Sequence, residues 1–291
     1  MGLAARAWGS GFLGMSIFAG SLPATRVAVT GFDPLFLTCA RASIAGLLGL
    51  GLLALVRRRR PAWGDLTALV GVALGVVLGF PLLTALALRH VSSAHALVFI
   101  GLLPLCTALF GMLRGGERPR PAFWACALLG SACVGGYAGW GGLGSMVDGA
   151  VAGDLLMLAA ILVCGFGYAE GARLSRRLGG WQVICWALVL SLPVMLPAMV
   201  LTRPASFAAV TAPAWWALAY VSVFSMLVGF VFWYRGLALG GIAAVGQLQL
   251  LQPFLGLGLA AALLGETVSA SMLLVTLLAV ACVTGARRFA G

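Results

Sequence analysis

Lysine is absent from this 291-residue chain, and all eighteen of its basic residues are arginine. There are only seven acidic residues and two histidines. Asp, Glu, Lys and Arg together make up 9% of the chain, against about 25% in a soluble globular protein. These shortages exclude whole classes of function. A membrane-embedded enzyme needs paired carboxylates, a metal cluster or a nucleophile–base set in one layer, and the acids and histidines here do not supply one. A channel wants a polar or charged lining, which these runs do not offer. The seven cysteines, Cys39, Cys106, Cys126, Cys133, Cys164, Cys185 and Cys282, each sit inside an apolar run and form no CxxC pair. They read as small buried residues, not as a disulfide scaffold, metal site or redox pair. The net charge of +11 could signal nucleic acid. The arginines lie between apolar runs, however, so loop orientation accounts for them and no nucleic-acid partner is expected.

What remains is hydrophobic. Apolar residues make up 62% of the chain and the mean hydropathy is +1.10, where globular proteins hold roughly 45–50% apolar residues. This is the composition of a polytopic membrane protein. A crossing helix needs about 20 apolar residues. Ten windows qualify: 8–30, 34–56, 64–88, 91–113, 121–143, 153–172, 180–202, 213–236, 241–263 and 268–289. The gaps between them are too short for a soluble domain. The first window is too long for a signal peptide and is read as retained. With the N-terminus on one side, fourteen arginines fall on that side, including the run Arg57–Arg60, and four (Arg26, Arg41, Arg89 and Arg203) fall on the other. By the positive-inside rule both termini are cytoplasmic. The excess of Arg, Ala and Gly suggests a GC-rich genome, hence a bacterium and its inner membrane.

The chain also repeats itself. LVFIGLLPLCTALFGMLRGGE in the first half matches GQLQLLQPFLGLGLAAALLGE in the second. Pro104 aligns with Pro253, Gly116 with Gly265 and Glu117 with Glu266, always 149 residues apart. Two five-helix halves follow, residues 1–145 and 150–291. Five is odd, so the halves enter the membrane in opposite senses. The expected fold is an all-α membrane protein with ten transmembrane helices as a 5+5 inverted-topology repeat, which is a transporter architecture.

Ionisable and polar groups inside spans are the site candidates. Arg41 lies about two turns into the second span, and Arg26 near the outer end of the first. Either is read as a gate or carboxylate attractor, or as a snorkelling side chain, with Asp33 as the nearby partner. Glu170 lies within one turn of the cytoplasm, and Arg173 satisfies it at i, i+3. His95 shares a face with Ser92 and Phe99, and reads as a carboxylate ligand or as a structural histidine. Gln249 and Gln252 share a face of span nine, with Gln247 roughly opposite. Such amides contact substrate or join helices. Pro104 and Pro253 occupy equivalent mid-span positions and point to hinge and binding site. Among the aromatics, Phe18, Phe80 and Trp233 are candidates to stack on substrate. Trp8, Trp63, Trp181, Trp215 and Trp216 sit at span ends as interface anchors.

The stretches WGSGFLGMSIFAGSLPATRVA, DPLFLTCARASIAGLL, GDLLMLAAILVCGFGYAEGARLSRR and WYRGLALGGIAAVGQLQLLQPFLGLGLAAALLGE resemble the drug/metabolite transporter superfamily over the whole chain. So do Pro34 with Arg41 and the paired Gly116–Glu117 and Gly265–Glu266. The resemblance is to ten-helix exporters built from two EamA-type repeats, and among them to the YddG-type exporters of aromatic amino acids and metabolites. It implies outward secondary transport of small organic solutes, no cofactor, and a central cavity shared by both halves. Cationic drugs and lipid-linked substrates remain alternatives. The small multidrug members of the superfamily carry a buried proton-exchanging glutamate in their first helix, and Glu170 is too shallow to match it. Phosphate-ester carriers need deep cationic groups that the midplane here lacks. A small-molecule substrate and membrane lipids are the expected partners, and the site needs no second chain, so a monomer is expected.

Overall fold

A computed structural model describes residues 2–56, 61–91, 96, 99–142, 150–252, 254–256, 258–259 and 270–290. Among the described residues every regular element is helical. In the first half, α1 (Leu3–Ala19) stops at Gly20 and α2 (Ser21–Ala28) continues the same window. Next, α3 (Pro34–Val56) begins cleanly because the Asp33 carboxylate accepts the Leu35 N–H at 2.8 Å and Pro34 takes a first-turn position that needs no donor. The third window is one run, Trp63–Ala87. It consists of α4 (Trp63–Val72), a π-helical stretch (Ala73–Gly79) and α5 (Phe80–Ala87). The half closes with α6 (Leu103–Gly115) and α7 (Pro121–Gly142).

The second half holds α8 (Ala150–Leu178), α9 (Gly180–Leu201), α10 (Ala212–Tyr220), a π-helical stretch (Val221–Val228) and α11 (Gly229–Gly240). Then come α12 (Ile242–Gly246), a 3₁₀ segment (Gln247–Leu251) and α13 (Ala270–Phe289). Among the described residues five runs are long and apolar enough to cross a membrane: Pro34–Val56, Trp63–Ala87, Val151–Leu178, Gly180–Leu201 and Ala212–Gly240. Of the other windows, 121–143 and 268–289 hold the continuous helices α7, of 22 residues, and α13, of 20. The first window is broken at Gly20, and the ninth is divided into α12 and the 3₁₀ segment. Leu47, Leu48, Leu50, Leu52 and Leu55 of α3 are exposed, as expected of a face turned to hydrocarbon.

The two π-helical stretches occupy equivalent places in the repeat, since residues 73–79 shifted by 149 are residues 222–228. Packing follows the same offset. Helix α3 packs on α9, and α7 on α13, and each pair maps onto itself. The contact of α1 with α11 maps onto that of α8 with α5, and both occur. These crossings depend on glycine. A Cβ on Gly14 would lie 2.7 Å from the Trp233 backbone N and 2.9 Å from the Gly229 O. Where α8 meets the π-helical stretch before α5, a Cβ on Gly75 would lie 2.6 Å from the Val163 O. Backbone atoms cannot move aside as a side-chain tip can, so bulk here forces the helices apart.

Gly14→Ala is expected to destabilise the protein by about 1–3 kcal/mol, seen as a lower melting midpoint in detergent. Gly51→Ala, where nothing lies within 4 Å, should leave the midpoint unchanged. Equal midpoints for both variants would contradict the close α1–α11 approach.

Candidate functional site

A cavity of about 30 Å³ lies between the halves, with room for roughly two waters. The first half lines it with Phe18, Ser21, Leu22, Arg41, Val76, Phe80, Pro81 and Leu103, and the second with Tyr168, Ser225, Met226, Phe230 and Gln252. Three lining pairs are 149 apart: Val76 with Ser225, Pro81 with Phe230, and Leu103 with Gln252. Equivalent surfaces of the two halves therefore face each other across the cavity. Departures from regular helix surround it. Val76 and Ser225 are in the π-helical stretches, Ser21 follows the Gly20 break, and Gln252 follows the 3₁₀ segment.

The polar groups converge on Arg41, which is 6% exposed. Its Nη2 donates to the Val221 carbonyl at 3.3 Å and to the Ser225 hydroxyl at 3.2 Å, while Nε has no partner. Among the described residues no carboxylate is within ion-pair distance of it. Ser225 also shares a 2.6 Å hydrogen bond with Ser21. Gln252 Nε2 donates to the Phe18 carbonyl at 3.4 Å, and its Oε1 has no partner. A buried charge held only by neutral groups is costly, so this cluster demands a functional explanation.

Aromatic rings make the rest of the wall. Phe18 lies 4.9 Å from Phe230 and 6.3 Å from Tyr168, centroid to centroid. Trp233 stands behind them, fully buried, 6.1 Å from Phe18 and 5.5 Å from Tyr168. These four rings join α1, α8 and α11 across the halves.

Of the residues expected at the site, Phe18, Phe80, Arg41 and Gln252 line the cavity. Gln249 is buried beside it, accepting from Thr107 Oγ1 at 3.3 Å. Trp233 is a supporting ring, and Phe99 packs against the main core. Pro104 sits in the first turn of α6, next to the lining residue Leu103. His95 and Pro253 lie outside the described residues. Asp33 is partnered with neither Arg26 nor Arg41. It sits 3.8 Å from Arg89, while Arg26 donates to the Leu88 carbonyl at 2.5 Å, just beyond α5. Glu170 pairs with Arg173 at 2.8 Å as expected, and with Arg114 at 2.5 Å as well. Ser21, Tyr168, Ser225 and Phe230 also line the cavity. The 149-residue offset was the signal that could have found Ser225 and Phe230.

One end of the bundle is tied shut between the halves. Arg114 reaches Glu170, Arg177 reaches Asp65, and Arg176 reaches Glu117 at 2.8 Å. Glu117 also accepts the N–H groups of Ile242 and Ala243, both at 2.7 Å. It thereby caps α12 from the other half, where Gly241, at φ +90°, turns the chain into the helix. At the opposite end the Arg89–Asp33 contact lies within the first half, and both groups are largely exposed. Losing an N-cap costs about 0.5–2 kcal/mol. Glu117→Ala should therefore lower the melting midpoint in detergent, and Glu117→Gln, which can still accept from one N–H, should lower it less. Unchanged midpoints for both would remove Glu117 from the contact that closes this end.

Comparison with known proteins agrees with this geometry. The EamA-like transporter family matches residues 7–135 and again residues 151–287. An uncharacterized transporter of Bacillus subtilis (strain 168), YdeK, is 63% identical over 283 residues, which is 97% of each chain. A solved structure described only as a crystal structure of a protein has the same fold, with a TM-score of 0.79 at 23% identity over 98% of both chains. The twofold family match and the close relative show that this chain, a multi-pass membrane protein of the drug/metabolite transporter superfamily, belongs to the EamA-like transporter family.

Proposed function

We propose that the protein is a secondary exporter of small organic solutes, chiefly amino acids, aromatic ones included, and related metabolites. It works by alternating access at the cavity between two inverted five-helix halves, residues 1–145 and 150–291. The observation that carries this reading is the lining of that cavity by offset-equivalent residues of both halves. Two similar halves packed in opposite senses have two near-equivalent arrangements, one opening to each side. The chain on this reading has ten spans in a bacterial inner membrane, and the arginine excess puts the tied end and both termini on the cytoplasmic side. On this reading the cross-half ion pairs hold the cytoplasmic side closed, and they break when the cavity opens inward.

At about 30 Å³ the cavity is too small for its cargo, since small-molecule sites run from about 300 Å³ upward. Opening must widen it roughly tenfold. The Gly20 break, the two π-helical stretches and the 3₁₀ segment supply the bending points. Pro104, in the first turn of α6, and Pro253, its equivalent in the repeat, act as hinges. The site is complete within one chain, so a monomer suffices. No acidic residue lines the cavity among the described residues. This argues against cationic drugs as cargo and against proton exchange through a cavity carboxylate.

Proteoliposomes holding the purified chain should take up labelled phenylalanine, tryptophan, threonine or methionine above empty liposomes, with competition by unlabelled amino acid. Uptake should continue when no pH gradient is imposed. Monodisperse protein that moves none of the four would contradict the amino-acid reading. Strict dependence on the gradient would contradict the uncoupled cavity.

A further inference from the structure

We infer that Arg41 is the anchor for a single carboxylate on the transported solute, so that the site requires a carboxylate and does not require an ammonium group. The inference rests on the transport reading above and names the substrate class for its cavity. The charge is buried in the cavity wall about 10 Å along α3 from Pro34, at 1.5 Å per residue. It does not reach back to the interface. Its Nη2 turns instead to Val221 and Ser225, which belong to the other half. Both bonds are long for a charged donor, and Nε donates to nothing. A guanidinium presents donors in a planar fork matched to a carboxylate, and here part of that fork is unused in a wall facing the cavity.

The neighbours complete an anion site. One hydroxyl hydrogen of the Ser21–Ser225 pair is left to donate when the other holds the bond between them, and the Gln252 amide is only weakly engaged at 3.4 Å. Among the described residues that line the cavity, Arg41 is the one that carries a charge. One positive charge balances one carboxylate, and a phosphate dianion would be left uncompensated. Neutral acceptors such as Gln252 Oε1 can receive an ammonium group but supply no charge to demand one. A lone amine meets an unscreened like charge and is rejected. The Phe18, Phe80, Tyr168 and Phe230 rings then hold an apolar or aromatic body.

The test uses the full chain in proteoliposomes and in detergent. Phenylalanine, 3-phenylpropionate, phenethylamine and phenylalanine methyl ester are each offered as competitors of labelled phenylalanine uptake and as ligands in a thermal-shift titration. The expected result is that both acids compete and raise the midpoint, while the amine and the ester do neither. Arg41→Gln should weaken the acids at least tenfold and abolish the preference for acid over ester. Arg41→Lys should keep a weakened acid preference. Should Arg41→Gln fail to fold, the ligand series on the unmodified chain still decides the matter, with Ser225→Ala expected to weaken the acids less. Amine or ester competing as well as the acids overturns the inference. Amine transport without acid transport overturns it but leaves the transporter reading intact. Uptake of neither acid nor amine overturns both.

Discussion

In a bilayer core, a backbone N–H or C=O without a partner has no water to turn to. Helices can therefore break only where side chains of the protein, or a cavity they line, take over the freed groups. That constraint sets the shape of this molecule. When α1 stops at Gly20, the Tyr220 hydroxyl donates to the Ile17 carbonyl at 2.6 Å and the Gln252 amide to the Phe18 carbonyl. Where α10 gives way to the π-helical stretch, Arg41 donates to Val221 and the Ser222 hydroxyl to Leu218 at 2.6 Å. Thr84 does the same for Phe80 beyond the equivalent stretch, at 2.7 Å. Three of these partnerships, those of Tyr220, Gln252 and Arg41, join one half to the other. The irregular backbone and the interface between the halves are thus one feature, and the cavity is its centre.

The same economy explains why so polar a cluster survives in so apolar a chain. A regular helix asks nothing of its side chains. Each interruption asks for a serine, a tyrosine, a glutamine or an arginine at a fixed place, and these residues are then available to a solute. Glycine has the complementary role. Gly14 lets backbones approach at the α1–α11 crossing, and Gly75 where α8 meets the π-helical stretch before α5, so the halves pack closely. At the tied end, Glu117 caps α12 across the interface. Closing that end and forming that helix are therefore coupled events.

Much of the fold was legible because hydropathy and arginine placement are strong signals. Window 34–56 coincides with α3 because Asp33 and Pro34 mark its start and the Arg57–Arg60 run follows its end. The break at Gly20 was not legible, because it depends on Tyr220, two hundred residues away. Pairing Asp33 with Arg26 or Arg41 failed for a related reason. Sequence proximity favoured them, while the fold brings Arg89 to Asp33 and turns Arg41 inward. Arg41, Gln252, Phe18 and Phe80 stood out as polar or aromatic groups in apolar spans, and they line the cavity. Ser225 did not stand out by type, and Phe230, aromatic like Phe18 and Phe80, was not singled out from the other rings of its span. Their equivalence to Val76 and Pro81 across the repeat was available, but only the close approach of the two halves gives it meaning. Gln249 and Gln252 were read on one helical face, a spacing that the 3₁₀ segment keeps; their partners differ, Thr107 for Gln249 and the Phe18 carbonyl for Gln252.

The central claim is that the two halves exchange access to one cavity. Distances between spin labels on the halves, in a background with the native cysteines replaced, test it most directly. Leu113 and Leu239 report on the arginine-rich end, and Leu35 and Val151 on the other; all four are exposed. The account predicts two populations for each pair, changing in opposite directions when transported solute is added, so that one end lengthens as the other shortens. Single, unchanging distances at both ends, in protein that transports, would contradict it.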